Sequence, residues 1–137
     1  MPALLLLTAL LIPQEGQEAN SATRDAATIA QAHATDLGFD DWAEKVGNDA
    51  LKKASSPSDR GLLLLARCDV RKFIAQRATD PSSRLAALGA AGEAYTDFLA
   101  TQPSPNLANK AHTNLAEVAF QYGRALQALS LIHICRC

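Results

Sequence analysis

His112-Thr113-Asn114-Leu115-Ala116-Glu117-Val118-Ala119-Phe120-Gln121-Tyr122-Gly123 carries the clearest architectural signal in the chain. With Leu107 and Ala111 before them, Leu115, Val118 and Tyr122 recur at steps of three and four, the period of one helix face. Ala116 and Ala119 stand among the large residues, and small side chains let a neighbouring helix come close. Gly123 reads as a turn, and residues 124–129 as the opening of a further helix.

Four more helical segments precede this one. The first runs from about 23 to 36, with Ala26, Ala30, His33 and Leu37 in register and Gly38 at its end. The second runs from about 40 to 54, where Asp40 or Asp41 suits the N-cap and Lys52 and Lys53 suit the C-terminal dipole. The third, from about 58 to 79, carries Leu62, Ala66, Val70, Phe73 and Ala78, widened by Leu63, Leu65 and Ile74. A helix apolar over so much of its surface expects neighbours on two sides. The fourth, from about 83 to 101, places Leu85, Leu88, Gly92, Tyr95 and Leu99 on one face. Breakers at Ser55-Ser56-Pro57, Asp80-Pro81-Ser82-Ser83 and Gln102-Pro103-Ser104-Pro105 separate the later segments. Short links between amphipathic helices favour antiparallel neighbours.

The pattern His112-x2-Leu115-Ala116-x2-Ala119-x3-Gly123-x4-Ala128 resembles the tetratricopeptide repeat. Ala30, Ala34, Gly38, Ala43 and Ala50 show similar small-residue spacing, and Ala91-x3-Tyr95 followed by Pro103 resembles the second half of a repeat. The resemblance implies an all-α fold over residues 22–129, with antiparallel hairpins stacked as a short solenoid of five helices and a truncated sixth. It also implies a concave face, lined by the first helix of each repeat, that binds a peptide or protein. In the last repeat Lys110, Thr113, Asn114, Glu117 and Gln121 would face that groove. Asn114 falls where peptide-carboxylate-binding members often carry asparagine.

The third helix also carries Arg60, Arg67, Arg71, Lys72 and Arg77. Arg60, Arg67 and Arg71 lie roughly on one side, and Arg67 and Arg71 are candidates for gripping an acidic peptide. The plainer reading is a solvated edge whose long stems cover apolar surface.

A chain of 137 residues makes one ordinary domain able to bury a core of its own. Hydrophobic residues are 48% but aromatics only 5%, and alanine-rich composition favours helix over strand. A formal net charge of −1, without a concentrated basic face, argues against nucleic-acid partners. No polybasic segment suits an anionic membrane.

The apolar run Ala3-Leu4-Leu5-Leu6-Leu7-Thr8-Ala9-Leu10-Leu11-Ile12 is too short to span a bilayer and matches the core of a secretory signal peptide. Residues 1–21 then read as signal and flexible leader, and the protein as exported, periplasmic or extracellular, with no stable membrane span after removal. Without such a signal the chain is cytoplasmic. At the other end, Leu129-Ser130-Leu131-Ile132-His133-Ile134-Cys135-Arg136-Cys137 resembles a translated sequencing adapter. Residues 130–137 are accordingly set apart as a non-native tail, with the helical domain incomplete before them, so that Leu115, Val118, Tyr122 and Leu126 are expected to expose apolar surface meant for missing residues.

That tail holds the one obvious metal-ligand pattern, His133-x-Cys135-x-Cys137, which adapter translation explains. Outside it, Cys68 with His33 or His112 is a weak nucleophile–base pair against the simpler reading of a buried thiol. No phosphate loop, nucleophile elbow or zinc-protease motif occurs. No catalytic residue, metal or cofactor is expected. The expected function is a non-catalytic interaction or assembly scaffold of an exported bacterial-type protein. An alternative is the accessory domain of a larger exported enzyme, such as a thiol–disulfide reductase or a hydrolase. A closed five-helix bundle with Leu131, Ile132 and Ile134 in its core is the remaining architecture.

Overall fold

Ser56-Pro57, Asp80-Pro81 and Ser104-Pro105 are equally spaced, and each proline is the first residue of a helix. Proline suits that position because its fixed φ is already helical and its missing N–H has no intrahelical partner there. The computed structural model describes residues 20–32 and 38–135. Its helices are α1 (Ser21–Ala32), α2 (Asp40–Lys53), α3 (Pro57–Arg77), α4 (Pro81–Ala100) and α5 (Pro105–Ile134). The described residues contain no strand. Short links after α2, α3 and α4 return each helix against its predecessor.

The caps show why the segments that read as breakers also start helices. Ser56 Oγ accepts from the Asp59 N–H at 3.0 Å and donates to the Asp59 carboxylate at 2.7 Å. Asp80 accepts from the Ser83 N–H at 2.7 Å. Each satisfies an amide that the first helical turn leaves unpaired. Asp59 also accepts from the Asn20 N–H at 2.9 Å, which ties the start of α1 to the start of α3. The Ser56 hydroxyl and then the Asn20 amide hold the Asp59 carboxyl below its ordinary pKa. A depressed carboxylate adds stability above its unfolded pKa, which is lost as pH falls through the folded value. Asp59→Asn should therefore flatten the loss of stability below about pH 4, read from thermal melts across an acid series.

Helix α2 departs from expectation at its start. Phe39 is its N-cap and makes no side-chain cap. Asp40 and Asp41 lie in the first turn, where a carboxylate favours the dipole, and Asp40 pairs with Arg77 at the end of α3. Gly38, just before, has φ 68°, and a Cβ there would lie 2.6 Å from the Arg77 guanidinium. Only glycine gives both that backbone conformation and that space at no steric cost.

The largest correction concerns Gly123. It does not turn the chain: α5 continues through it to Ile134, so there is no separate sixth helix. A glycine inside a helix costs only about 1 kcal/mol relative to alanine. Arg124-Ala125-Leu126-Gln127-Ala128-Leu129 are strong helix formers, and no proline intervenes. A Cβ at Gly123 would meet nothing within 4 Å. Gly123→Ala is therefore expected to stabilise the chain by about 0.5–1 kcal/mol in urea unfolding. Destabilisation would show that the glycine is needed for a bend.

Helix α3 sits at the centre and touches all four others, as its broad apolar surface implied. Leu65, Cys68 and Ala75 meet Leu88, Ala91, Tyr95 and Phe98 of α4 and Ala111 and Val118 of α5. On its other sides Leu63 and Ala66 meet Ala27, while Val70 meets Ala30 and Ala43. Glycines let α4 and α5 approach: Gly92 faces Val118 and Leu115, and Gly89 faces Tyr122.

That packing reverses two further expectations. The stripe Leu115, Val118, Tyr122 and Leu126 was expected to expose apolar surface for missing residues. Val118 is instead buried, and Leu115 and Tyr122 pack against the core, because α4 covers that side. Of the four only Leu126 is exposed, and Phe120, on the side of α5 opposite Val118, is exposed as well. A closed bundle with the tail in its core is not formed either, since Leu131 and Ile134 are 57% and 71% exposed. The apolar run at 3–12, its signal-peptide reading and His33 lie outside the described residues. Among the described residues no helix is long and apolar enough to cross a membrane.

Candidate functional site

Asp69 and Lys72 stand one turn apart on α3, a spacing that puts both on one side of the helix. Only 4% and 7% of their surfaces are exposed. Charges so deep need partners, because burying an unmatched ion costs several kcal/mol. The partners come from three other helices.

One oxygen of Asp69 accepts from the Tyr95 hydroxyl of α4 at 2.5 Å and from the Asn114 amide of α5 at 2.8 Å. The other accepts from the Gln31 amide of α1 at 3.0 Å, with Lys110 Nζ of α5 at 3.9 Å. Lys72 donates to the Asn114 amide oxygen at 3.1 Å and to Glu117 at 3.0 Å, and lies 5.5 Å over the Phe73 ring. Asn114 thus turns its NH2 to the carboxylate and its oxygen to the ammonium, a fit that only one orientation of the amide allows. Glu117 also accepts from Gln76 at 3.2 Å and Gln121 at 3.1 Å. Burial, and next the hydrogen bond to Asp69, raises the Tyr95 pKa far above that of a free phenol, so Tyr95 remains a donor.

Of the residues singled out in the sequence, Lys110, Asn114, Glu117 and Gln121 come together around this pair. Asn114 is engaged with an internal carboxylate. Thr113 is exposed and donates to its own helix, to the Asn109 carbonyl at 3.0 Å. Arg67 and Arg71 do not join the group. They lie about 200° around α3 from Asp69, at 100° per residue, and line a groove against α4. Asp69 and Tyr95 were not recognised, and Lys72 was grouped with the solvated basic residues. The signal was present: an acid and a base at i and i+3 in a helix apolar on nearly every side have no solvent to face.

Cys68 is buried, and its Sγ donates to the Ala94 carbonyl at 3.3 Å. Burial, and then the neighbouring Asp69 carboxylate, pushes the thiol up to about 11. It is therefore protonated at neutral pH and unsuited to nucleophilic work. Labelling with iodoacetamide at neutral pH should modify Cys68 at least about 100-fold more slowly in the native chain than in urea, read by peptide mass spectrometry. His112 is exposed on α5. Among the described residues, no three His, Cys, Asp or Glu side chains gather as a metal site.

No protein-family model matches the chain, and neither a curated protein nor a solved structure matches it significantly.

Proposed function

We propose that the chain is a non-catalytic, tetratricopeptide-like scaffold that binds a peptide or protein partner on the side built by α1, α3 and α5. The observation that carries this reading is the network of buried Asp69 and Lys72, bridged by the Asn114 amide, whose bonds reach Gln31 and Glu117 and so join those three helices. Helices α1 and α5 flank α3 without touching each other, and α2 and α4 do not meet, as in hairpins stacked in series. Rigid helices then display Gln76, Lys110, Thr113, Glu117 and Gln121 around a fixed centre. A polar side set of this kind suits main-chain and side-chain hydrogen bonds to an extended peptide. The α-solenoid geometry, the export of the protein and its lack of catalysis belong to the same proposal.

The test is selection of peptides from a randomised library on the immobilised chain, followed by amide-shift mapping of one selected peptide. Shifts should centre on residues 110–121 of α5 and around Gln76 of α3. Thr113→Arg and Thr113→Trp, at an exposed position outside the Asp69 network, should each abolish binding with little change in thermal stability. Shifts elsewhere, or binding indifferent to those changes, would overturn the proposal.

A further inference from the structure

Helix α2 covers part of α3 but does not reach α4, and the seam between α3 and α4 opens there into a groove of about 290 Å³. Its walls combine two chemistries. Leu64, Ala94 and Phe98 supply an apolar floor. Arg67 and Arg71 stand one turn apart on the α3 side, half-buried, with Asp97 on the α4 side.

The two arginines are the informative part. Among the described residues neither makes a hydrogen bond or an ion pair, and Asp97 lies beyond ion-pair distance of both. Like charges at i and i+4 repel, so the arrangement carries a small cost with no internal return. Elsewhere on α3 Lys72 holds Glu117 and Arg77 holds Asp40, while Arg60 is exposed to solvent. The groove therefore keeps a net positive charge above an apolar floor.

We propose that this groove is a binding site for a carboxylate carried on an apolar body. The guanidinium fork matches the two oxygens of a carboxylate, and two forks side by side strengthen that match. The floor takes up the apolar body. The volume lies at the small end of ligand pockets, enough for one hydrophobic side chain or a short hydrocarbon segment with its acid group. Such chemistry comes from two sources: a peptide ending in a hydrophobic residue with a free carboxylate, or a free alkanoic acid. The groove faces away from the α1–α3–α5 side and does not depend on the function proposed for that side.

The experiment is an amide-shift titration of the full chain with three probes: decanoate, an acetylated tripeptide ending in Leu with a free carboxylate, and its carboxamide. At least one acid should shift residues 64–71 and 94–101 together. The carboxamide should bind at least about tenfold more weakly than the tripeptide acid if the peptide is the ligand. Arg67→Gln with Arg71→Gln should weaken the bound acid by about tenfold or more at unchanged thermal stability. Arg67→Lys with Arg71→Lys should recover part of the affinity. Ala94→Met, which fills the floor and leaves both arginines, should also weaken it. Preference for one acid over the other identifies the source. Binding by neither acid, shifts centred on Phe120 and Leu126, or affinity unchanged in the double glutamine variant would each overturn the proposal.

Discussion

Asp69→Ala is expected to lower the unfolding free energy by about 3–5 kcal/mol, the cost of breaking a buried charged network by removing one partner. The Tyr95 hydroxyl loses its acceptor, Gln31 and Asn114 lose theirs, and Lys72 loses the carboxylate one turn away. The neighbouring core leaves water little room to replace that carboxylate, since Tyr95, Ala91 and Ala111 are fully buried. Urea unfolding with a fitted slope measures the change. A double-mutant cycle with Tyr95→Phe separates the shared bond, and the double variant should lose clearly less than the sum of the two single changes. A loss under about 1 kcal/mol for Asp69→Ala would mean that the carboxylate is in effect solvated, and the network would no longer account for how α1 and α5 are held to α3.

Leu88→Ala carries the other large effect, about 2–5 kcal/mol. Leu88 is wholly buried where α3, α4 and α5 meet. Removing its methyl groups leaves a cavity that stiff neighbours cannot close, because the surrounding Ala75, Ala91 and Ala111 have no side-chain freedom with which to fill it. The matching change outside the core is Leu131→Ala, where an exposed side chain should cost within about 0.5 kcal/mol. Paired chemical unfolding of the two variants checks both. Similar losses at the two positions would place Leu131 in the core and overturn the packing described for the end of α5.

Much of the helical layout was legible in the residues. The periodic stripes located five segments, and proline and short polar runs separated the later ones, because i, i+3, i+4 spacing and a missing amide proton act locally. The same prolines were read mainly as stops. In the structure each also serves as the first residue of the next helix, capped by Ser56 or Asp80 in two cases. The error at Gly123 has the opposite origin. A glycine signals freedom to turn, but freedom is not an instruction, and strong helix formers on both sides carried α5 straight through.

The candidate site was less legible. Residues 110, 114, 117 and 121 were singled out because the tetratricopeptide resemblance places them on one face of one helix. Asp69 and Tyr95 were missed because each takes its meaning from the other, 26 residues away, and the role of Asn114 depends on Asp69, 45 residues before it. Arg67 and Arg71 were grouped with the partner-binding set by charge, although they belong to a different side of α3.

Sequence alone determined that the chain is helical, roughly where each helix lies, and that α3 needs neighbours on more than one side. Those properties follow from backbone propensity and from apolar residues recurring every turn, which act within a segment. Tertiary structure alone decided that Asp69 and Lys72 are interior, that the Val118 stripe is covered by α4, and that two arginines stand unmatched over an open seam. Burial and charge pairing are properties of what lies across a helix interface, and no spacing within a single helix contains them.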